Sequence, residues 1–174
     1  MINTRVDLAK YFGGMGYKTG AEIGVAKGKY SRVFCWNIPK LTLFCVDPYS
    51  SDPNDLCDYG ADNKANYDHA KKILQPFNAI FILHNSTDAL TYFGDNSLDF
   101  VYIDANHSFD YVMMDIINWS RKVRSGGTIS GHDYYRLRNF GVIAAVNAYV
   151  KAHGITTFGT TDGDHTPSWY WTKP

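Results

Sequence analysis

The sequence predicts a doubly wound α/β fold, in which helices cover both faces of a mostly parallel β-sheet. Two observations lead to this prediction. Apolar runs of strand length alternate about five times with segments of helical spacing, as is typical of βαβ units with right-handed crossovers. Each run also ends at a polar or acidic residue, where a loop is expected to begin. The five runs are residues 21–24, 41–47, 79–86, 98–104 and 127–133.

Five helices are predicted from start and stop signals and from apolar residues that share one face. Thr4 and Asp7 form a pattern like a capping box, and Gly13 ends this first helix. Gly126 and Gly127 are expected to end the fourth helix. The apolar faces of the other four helices are Tyr30, Val33 and Phe34; Ala70, Ile73 and Leu74; Phe109, Val112, Met113, Ile116 and Val123; and Ile143, Val146 and Val150.

The end of the chain has a different pattern. Residues 155–158 and 168–172 are predicted to be two strands joined directly, which gives an antiparallel hairpin at one edge of the sheet and seven strands in total. Because no repeat or linker interrupts the sequence, we expect residues 1–174 to form a single domain.

Composition excludes several classes of protein. With 45% hydrophobic and 20% charged residues the chain is globular, and its 17 basic and 17 acidic residues create no overall field that would attract nucleic acid or an anionic membrane. No apolar run approaches the roughly 18 residues that span a bilayer. The three cysteines, Cys35, Cys45 and Cys57, are odd in number and lack zinc-ligand spacing. We therefore expect a soluble, cytoplasmic protein without nucleic-acid or membrane partners.

Polar residues follow every predicted strand. The carboxyl ends of parallel strands meet at one rim of a sheet, where ligands bind near the point at which strand order reverses. Loops are polar in any protein, but carboxylates that cluster at several strand ends repel one another unless a ligand or cation uses them. The residues at this rim are Glu22, Gly24, Asp47, Asn85, Ser86, Asp88, Asp104, His107, His132 and Asp133.

The turn after the first strand has the pattern acid-x-Gly-x-x-x-Gly, formed by Glu22, Gly24 and Gly28. It is not a Walker A loop, because Tyr30 separates Lys29 from the next Ser, and Ala26 occupies the second glycine position of the dinucleotide fingerprint. The pattern resembles the first motif of the class I S-adenosylmethionine-dependent methyltransferases, which implies a Rossmann-like sheet and S-adenosylmethionine as the methyl donor.

Two later segments resemble the small-molecule O-methyltransferase branch, in particular methyltransferase family 24. The first is Ile103-Asp104-Ala105-Asn106-His107, and the second runs from Gly126 to His132 and Asp133. The Pro-Pro loop of methyltransferases that act on base amines is absent after the fourth strand, which disfavours DNA amino-methylation. The resemblance implies a hydroxyl of a small molecule or sugar as the methyl acceptor.

The resemblance also implies a set of cofactor-binding residues. Asp47 is placed to accept hydrogen bonds from both ribose hydroxyls, and Ser86 with Thr87 to contact adenine; capping a turn or a helix is the alternative role for Asp47 and Ser86. Tyr49 begins a polar loop, residues 49–67, that we interpret as a lid. The predicted cofactor-binding set is Glu22, Gly24, Gly28, Asp47, Tyr49, Ser86, Thr87 and Asp104.

Methyl transfer to a hydroxyl requires a base or a metal that makes the oxygen nucleophilic. His107 and His132 are the candidate bases, with Asp104 beside them, although either histidine could instead be a hydrogen-bonded surface residue. Alternatively, Asp104, His132 and Asp133 hold a divalent cation, for which Mg²⁺ is the expected ion.

Two other functions remain open at this point: a nicotinamide-dependent oxidoreductase on a similar sheet, and a non-catalytic nucleoside-binding module. We expect acceptor specificity to come from loops or from a neighbouring subunit of a homo-oligomer, because no inserted substrate domain is evident.

Overall fold

A computed structural model describes residues 2–50, 63–136 and 141–174 of the chain. Its centre is a seven-stranded sheet in the order β3-β2-β1-β4-β5-β7-β6. The first five strands pair in parallel, and β7 pairs antiparallel with both β5 and β6. The strands are β1 (Thr19–Ile23), β2 (Thr42–Val46), β3 (Ala79–Ile82), β4 (Leu98–Ile103), β5 (Val123–Gly131), β6 (Gly159–Thr160) and β7 (Trp169–Thr172).

Helices cover both faces of the sheet, as predicted. One apolar cluster contains buried residues of the first three helices, and a second contains those of the last three. These helices are α1 (Arg5–Gly14), α2 (Lys29–Asn37), α3 (Asn63–Leu74), α4 (Ser86–Ala89), α5 (Phe109–Lys122) and α6 (Gly141–Ala152). None of the helices in the described ranges is long and apolar enough to cross a membrane.

Strand order reverses at β1, which pairs with β2 on one side and with β4 on the other. Ile23 at the end of β1 lies beside Ile103 at the end of β4, and Ile103 lies beside Gly131 at the end of β5. The residues that follow these three strands therefore meet at one point of the rim, which is where an open α/β sheet binds its ligand.

The structure corrects the predicted boundary between α5 and β5. The helix ends at Lys122, and Val123 begins β5 directly, so Gly126 and Gly127 lie within the strand rather than after the helix. Val123 is fully buried in the apolar cluster that also contains Trp119, which explains its apolar character without a helical role.

The antiparallel hairpin is confirmed, but its first strand is displaced. Residues 155–158 are not a strand; Ile155 and Phe158 pack against the core, and the strand is Gly159–Thr160. The Tyr170 ring packs so closely over Gly159 that a Cβ atom on Gly159 would lie 2.7 Å from it. The apolar pattern of residues 155–158 therefore reflects packing against the core and not a strand.

Candidate active site

The turn after β1 requires unusual backbone conformations. Gly24 has φ +86°, and a Cβ atom there would lie 2.1 Å from the carbonyl oxygen of Asp104, so only glycine fits at this position. Ala26 also has a positive φ of +47°, at the position where the dinucleotide fingerprint has its second glycine. Gly28, with φ +68°, is the N-cap of α2. A non-glycine residue in the left-handed region indicates that the surrounding structure enforces this turn.

Asp47 enforces it. Its Oδ2 accepts the backbone N–H groups of Val25 and Ala26, each at 2.9 Å, and its Oδ1 accepts the N–H of Tyr49 at 2.9 Å. A carboxylate has about four lone-pair positions, so one, on Oδ1, remains for a ligand. Asp47 thus takes the turn-forming role given above as the alternative, and its predicted contact with both ribose hydroxyls stays a prediction.

Tyr49 closes the same turn from the other side. Its hydroxyl donates to the carbonyl oxygen of Ala26 at 2.8 Å, and its ring lies 5.1 Å from that of Tyr67. The predicted lid begins here, but residues 63–67 of the predicted loop belong to α3 instead. Residues 51–62, which include Cys57, lie outside the described residues.

A cavity of about 310 Å³ opens over the turn. Glu22, Gly24 and Asp104 line it, as the sequence predicts for a ligand site, whereas Gly28, Asp47, Tyr49, Ser86 and Thr87 are not part of its lining. The other lining residues are Arg5, Val25, Ala26, Lys27, Lys29, Tyr30 and Asn66. Cavities of this volume are typical of small-molecule sites.

Glu22 lies at the buried side of this cavity with only 2% of its surface exposed. The Ser31 hydroxyl donates to its Oε2. Burial raises the pKa of Glu22 to about 8; the Ser31 hydrogen bond opposes this rise, and the charge of Asp104 adds to it. Near neutral pH the Glu22 side chain is therefore mostly protonated.

Asp104 also belongs to a second group of residues, which continues from the cavity. His107 Nε2 lies 2.7 Å from Asp133 Oδ2 and 3.7 Å from Asp104 Oδ1. His132 Nδ1 lies 3.3 Å from Asp133 Oδ1 and 3.6 Å from Asp104 Oδ1. The structure thus brings together Asp104, His107, His132 and Asp133, which follow β4 and β5. We call these four residues the Asp/His cluster.

Opposite charges within the Asp/His cluster shift the pKa values of its members. Burial alone would raise the pKa of Asp104 and Asp133, but His107 and His132 hold both below the ordinary range of a carboxyl group. Burial opposes protonation of His132, yet Asp104 and Asp133 raise its pKa to about 9. At neutral pH His132 is accordingly a cation between two carboxylates.

The Asp/His cluster also contains a set of metal-ligand atoms. One atom each from Asp104, His107 and Asp133 lies within 4.8 Å of the others. Asp104 Oδ1 is buried and accepts no hydrogen bond from the described residues. The sequence predicted His132 as the nitrogen ligand, whereas this geometry favours His107.

Comparison with known proteins identifies the family to which these residues belong. A family model described as a methyltransferase domain matches residues 21–134, which is more than half of the chain and includes the glycine turn and the Asp/His cluster. This chain belongs to that methyltransferase family. The resemblance to class I S-adenosylmethionine-dependent methyltransferases is thereby confirmed. A comparison with curated protein sequences gave no match.

Solved structures share the fold of this methyltransferase at low identity. An O-methyltransferase from Bacillus cereus, solved with S-adenosylhomocysteine, has 13% identity and a TM-score of 0.68 over 97% of this chain and 80% of that one. TomG from Streptomyces achromogenes, an O-methyltransferase involved in tomaymycin synthesis and solved with S-adenosylmethionine, has 12% identity and a TM-score of 0.68 over 98% and 79% of the two chains. A Clostridium thermocellum protein, whose rRNA-methylase activity is itself only proposed, has 12% identity and a TM-score of 0.69 over the full length of both chains.

The predicted adenine-binding residues are anchored to α5 of the methyltransferase. Ser86 Oγ donates to Asp115 and accepts the indole N–H of Trp119 at 2.8 Å, and Thr87 Oγ1 lies 3.9 Å from Met114 Sδ. Asn85, rather than Ser86, caps α4. A serine hydroxyl has one donor and two acceptor positions, so Ser86 keeps one acceptor position for a ligand.

Sequence reasoning missed the residues that reach the site from the two ends of the chain. Arg5 lines the cavity, and its Nη1 lies 3.4 Å from His132 Nε2. Thr166 Oγ1 lies 3.0 Å from the same nitrogen. Neither residue follows a parallel strand. The expectation that ligand-binding residues follow the carboxyl ends of these strands could therefore not predict them.

Proposed function

We propose that this methyltransferase transfers a methyl group from S-adenosylmethionine to a hydroxyl of a small molecule or sugar. The observation that carries the proposal is the position of Asp104, which lines the cavity over the glycine turn and also belongs to the Asp/His cluster. A donor in the cavity and an acceptor at the cluster would therefore meet at one residue, as an in-line displacement requires.

The residues of the cavity fit the proposed donor. S-adenosylmethionine carries an ammonium, a carboxylate and a sulfonium. The cavity is lined by acidic side chains, which suit the two cationic groups, and by basic side chains, which suit the carboxylate. When bound, it supplies an electrophilic methyl group. The fixed turn at Gly24 and the hydrogen bonds of Asp47 keep this side of the cavity preorganised.

The chain's own contribution to the chemistry is to remove a proton from the acceptor. A hydroxyl that reaches the Asp/His cluster gives its proton to the His107–Asp133 pair, whose Nε2 and Oδ2 lie 2.7 Å apart. His132, a cation at neutral pH, can act as the base only after it has lost its own proton. The Asp133 carboxylate stabilises the imidazolium that forms on His107.

A divalent cation such as Mg²⁺ is proposed as a further component. Asp104 and Asp133 would hold it together with His107 or, as the sequence predicts, His132. The buried Asp104 Oδ1, which accepts no hydrogen bond from the described residues, and the mixture of oxygen and nitrogen donors fit a divalent ion, and nitrogen suits Mn²⁺ or Zn²⁺ better than Mg²⁺. Such an ion lowers the pKa of a hydroxyl that binds to it.

We further propose that the protein acts in the cytoplasm and does not use nucleic acid as its acceptor. The equal numbers of basic and acidic residues support the second part, since nucleic-acid enzymes usually carry a basic surface, and the odd number of cysteines supports a reducing compartment such as the cytoplasm.

The proposal is tested in two steps. Calorimetry first measures binding of S-adenosylmethionine, S-adenosylhomocysteine and NAD to the wild-type protein; binding of NAD alone would contradict the proposal. Turnover to S-adenosylhomocysteine is then measured by chromatography with panels of phenols, sugars, hydroxy acids and RNA. Turnover with RNA and with no small hydroxylated molecule would reassign the acceptor.

A further inference from the structure

The guanidinium of Arg5 is a cation in the cavity without a carboxylate partner. Within the described ranges, no carboxylate oxygen lies within 4 Å of it. Its side chain is half-buried, lies over the Tyr30 ring at 5.1 Å and approaches His132. A half-buried guanidinium presents up to five donors, and most of them are here directed neither to a carboxylate nor to a backbone carbonyl.

The backbone of Arg5 is held firmly, so the side chain is presented to the cavity from a fixed point. The N–H of Arg5 donates to Asp164 Oδ2 at 2.6 Å, and its carbonyl oxygen accepts the Tyr30 hydroxyl at 2.7 Å. Thr4 and Asp7 form a capping box around the same residue. These contacts use backbone atoms and neighbouring residues, and substitution of the Arg5 side chain leaves them in place.

The charges around the cavity favour the binding of an anion. Lys27 and Lys29 line it beside Arg5, and its two acids are Glu22 and Asp104. Glu22 accepts the Ser31 hydroxyl and is mostly protonated near neutral pH, and Asp104 faces two histidines. The cavity therefore carries an excess of positive charge in a chain whose formal net charge is zero.

We propose that Arg5 is the anion-binding residue of this cavity and pairs with a carboxylate or phosphate group of a bound ligand. The inference rests on the proposed function, because that function supplies the two sources of such a group. One source is the carboxylate of the methyl donor. The other is an anionic group next to the acceptor hydroxyl, which would place the acceptor among hydroxy acids, uronic acids or sugar phosphates. Guanidinium and carboxylate or phosphate form paired, charge-assisted hydrogen bonds, so either source fits the same side chain.

The first arm of the experiment addresses the donor. Calorimetry compares S-adenosylhomocysteine with 5′-methylthioadenosine, which lacks the carboxylate, on the wild type, Arg5→Gln and the matched control Arg121→Gln at an exposed position of α5. If the donor is the source, Arg5→Gln weakens S-adenosylhomocysteine about 10-fold or more and leaves 5′-methylthioadenosine unchanged. Arg5→Lys, which keeps the charge, recovers part of the affinity.

The second arm addresses the acceptor. Protein saturated with S-adenosylhomocysteine is titrated with glucose, glucuronate and glucose 6-phosphate. If the acceptor is the source, the wild type binds one of the anionic sugars at least about 10-fold more tightly than glucose, and Arg5→Gln removes the difference. Binding in both arms that is identical for wild type and Arg5→Gln overturns the inference. Failure of the wild type to bind S-adenosylhomocysteine at all would instead contradict the proposed function.

Discussion

The carboxylate of Asp47 fixes the strained backbone of Ala26: Oδ2 accepts the Ala26 N–H at 2.9 Å, and Ala26 has φ +47°. Asp47, which directly follows β2, thus fixes the turn that follows the neighbouring strand β1. Since the same oxygen holds Val25, the side chain acts on the cavity through the backbone as well as through any ligand contact.

Asp47→Asn should weaken both folding and cofactor binding. An amide in place of the carboxylate loses charge-assisted acceptance of at least one N–H, so the free energy of unfolding should fall by about 1.5 to 3 kcal/mol. Affinity for S-adenosylhomocysteine should fall about 10-fold or more. Urea unfolding and calorimetry measure the two effects. Asp95→Asn, which removes only an exposed pairing with Lys122, should change neither.

Gly24→Ala should disrupt the site more than any other single-methyl change at the rim. The added Cβ would lie 2.1 Å from the Asp104 carbonyl oxygen, and φ +86° is strained for alanine. We expect a loss of at least about 2 kcal/mol of unfolding free energy and no measurable S-adenosylhomocysteine binding. Gly94→Ala is the matched control, because nothing lies within 4 Å of its added Cβ. Equal free energies of unfolding for the two variants would contradict this prediction, because the backbone around residue 24 would then accommodate the added methyl group.

The sequence predicts the part of this site that strand ends create. Asp104 and Asp133 come together because β4 and β5 are neighbours in parallel, and a carboxylate after each is visible in the sequence. The fold class follows in the same way from alternating strands and helices. The register Gly131↔Trp169, which inserts β7 between β5 and β6, joins residues far apart in the chain, and no local pattern encodes it.

Arg5 and Thr166 could not be predicted for a related reason. They reach His132 from the start of α1 and from the loop between β6 and β7, and their positions depend on how these segments dock. That docking includes a hydrogen bond from the Gly163 N–H to the Asn3 carbonyl oxygen at 2.7 Å. The sequence of Thr4 to Asp7 indicates where the helix starts but not what lies beside it.

The two cluster histidines should matter for turnover and not for donor binding. His107→Ala should lower kcat about 10²- to 10⁴-fold with the acceptor found in the panel, because it removes the proton acceptor beside Asp133. His132→Ala should also lower kcat, because it removes the cation between Asp104 and Asp133. Neither histidine lines the cavity, so affinity for S-adenosylhomocysteine should stay within about 2-fold. His153→Ala, at an exposed position directly after α6, serves as the control. Full activity of a double His107→Ala, His132→Ala variant would remove the Asp/His cluster from the mechanism.

Divalent cations should bind the Asp/His cluster with a preference set by its donors. Because one donor is an imidazole, calorimetry should show Mn²⁺ binding more tightly than Mg²⁺. Asp133→Asn should abolish binding of both ions, while Asp99→Asn, outside the site, should not. Unchanged Mn²⁺ binding in Asp133→Asn would locate the ion elsewhere.

Glu22 should make the protein less stable as the pH rises from about 4.5 to 8. The unfolded chain releases this proton near pH 4.5, whereas burial keeps the pKa of Glu22 at about 8 in the folded state. Between these values the folded state binds more protons than the unfolded state, so stability falls with rising pH, by at most about 1.4 kcal/mol per unit from this group. Glu22→Gln carries no proton to lose, so its free energy of unfolding should increase relative to that of the wild type as the pH rises across this interval.

A direct measurement is available because Glu22 is the only glutamate in the chain. Protein labelled with ¹³C at the glutamate side-chain carboxyl should give one resonance, which should titrate near pH 8 rather than near 4.5. The two readouts are linked, since the interval over which the wild type loses stability relative to Glu22→Gln has to end at the midpoint of the resonance. A midpoint near 4.5 together with equal pH slopes would mean that the carboxyl is hydrated, and the buried side of the cavity would then be open to water.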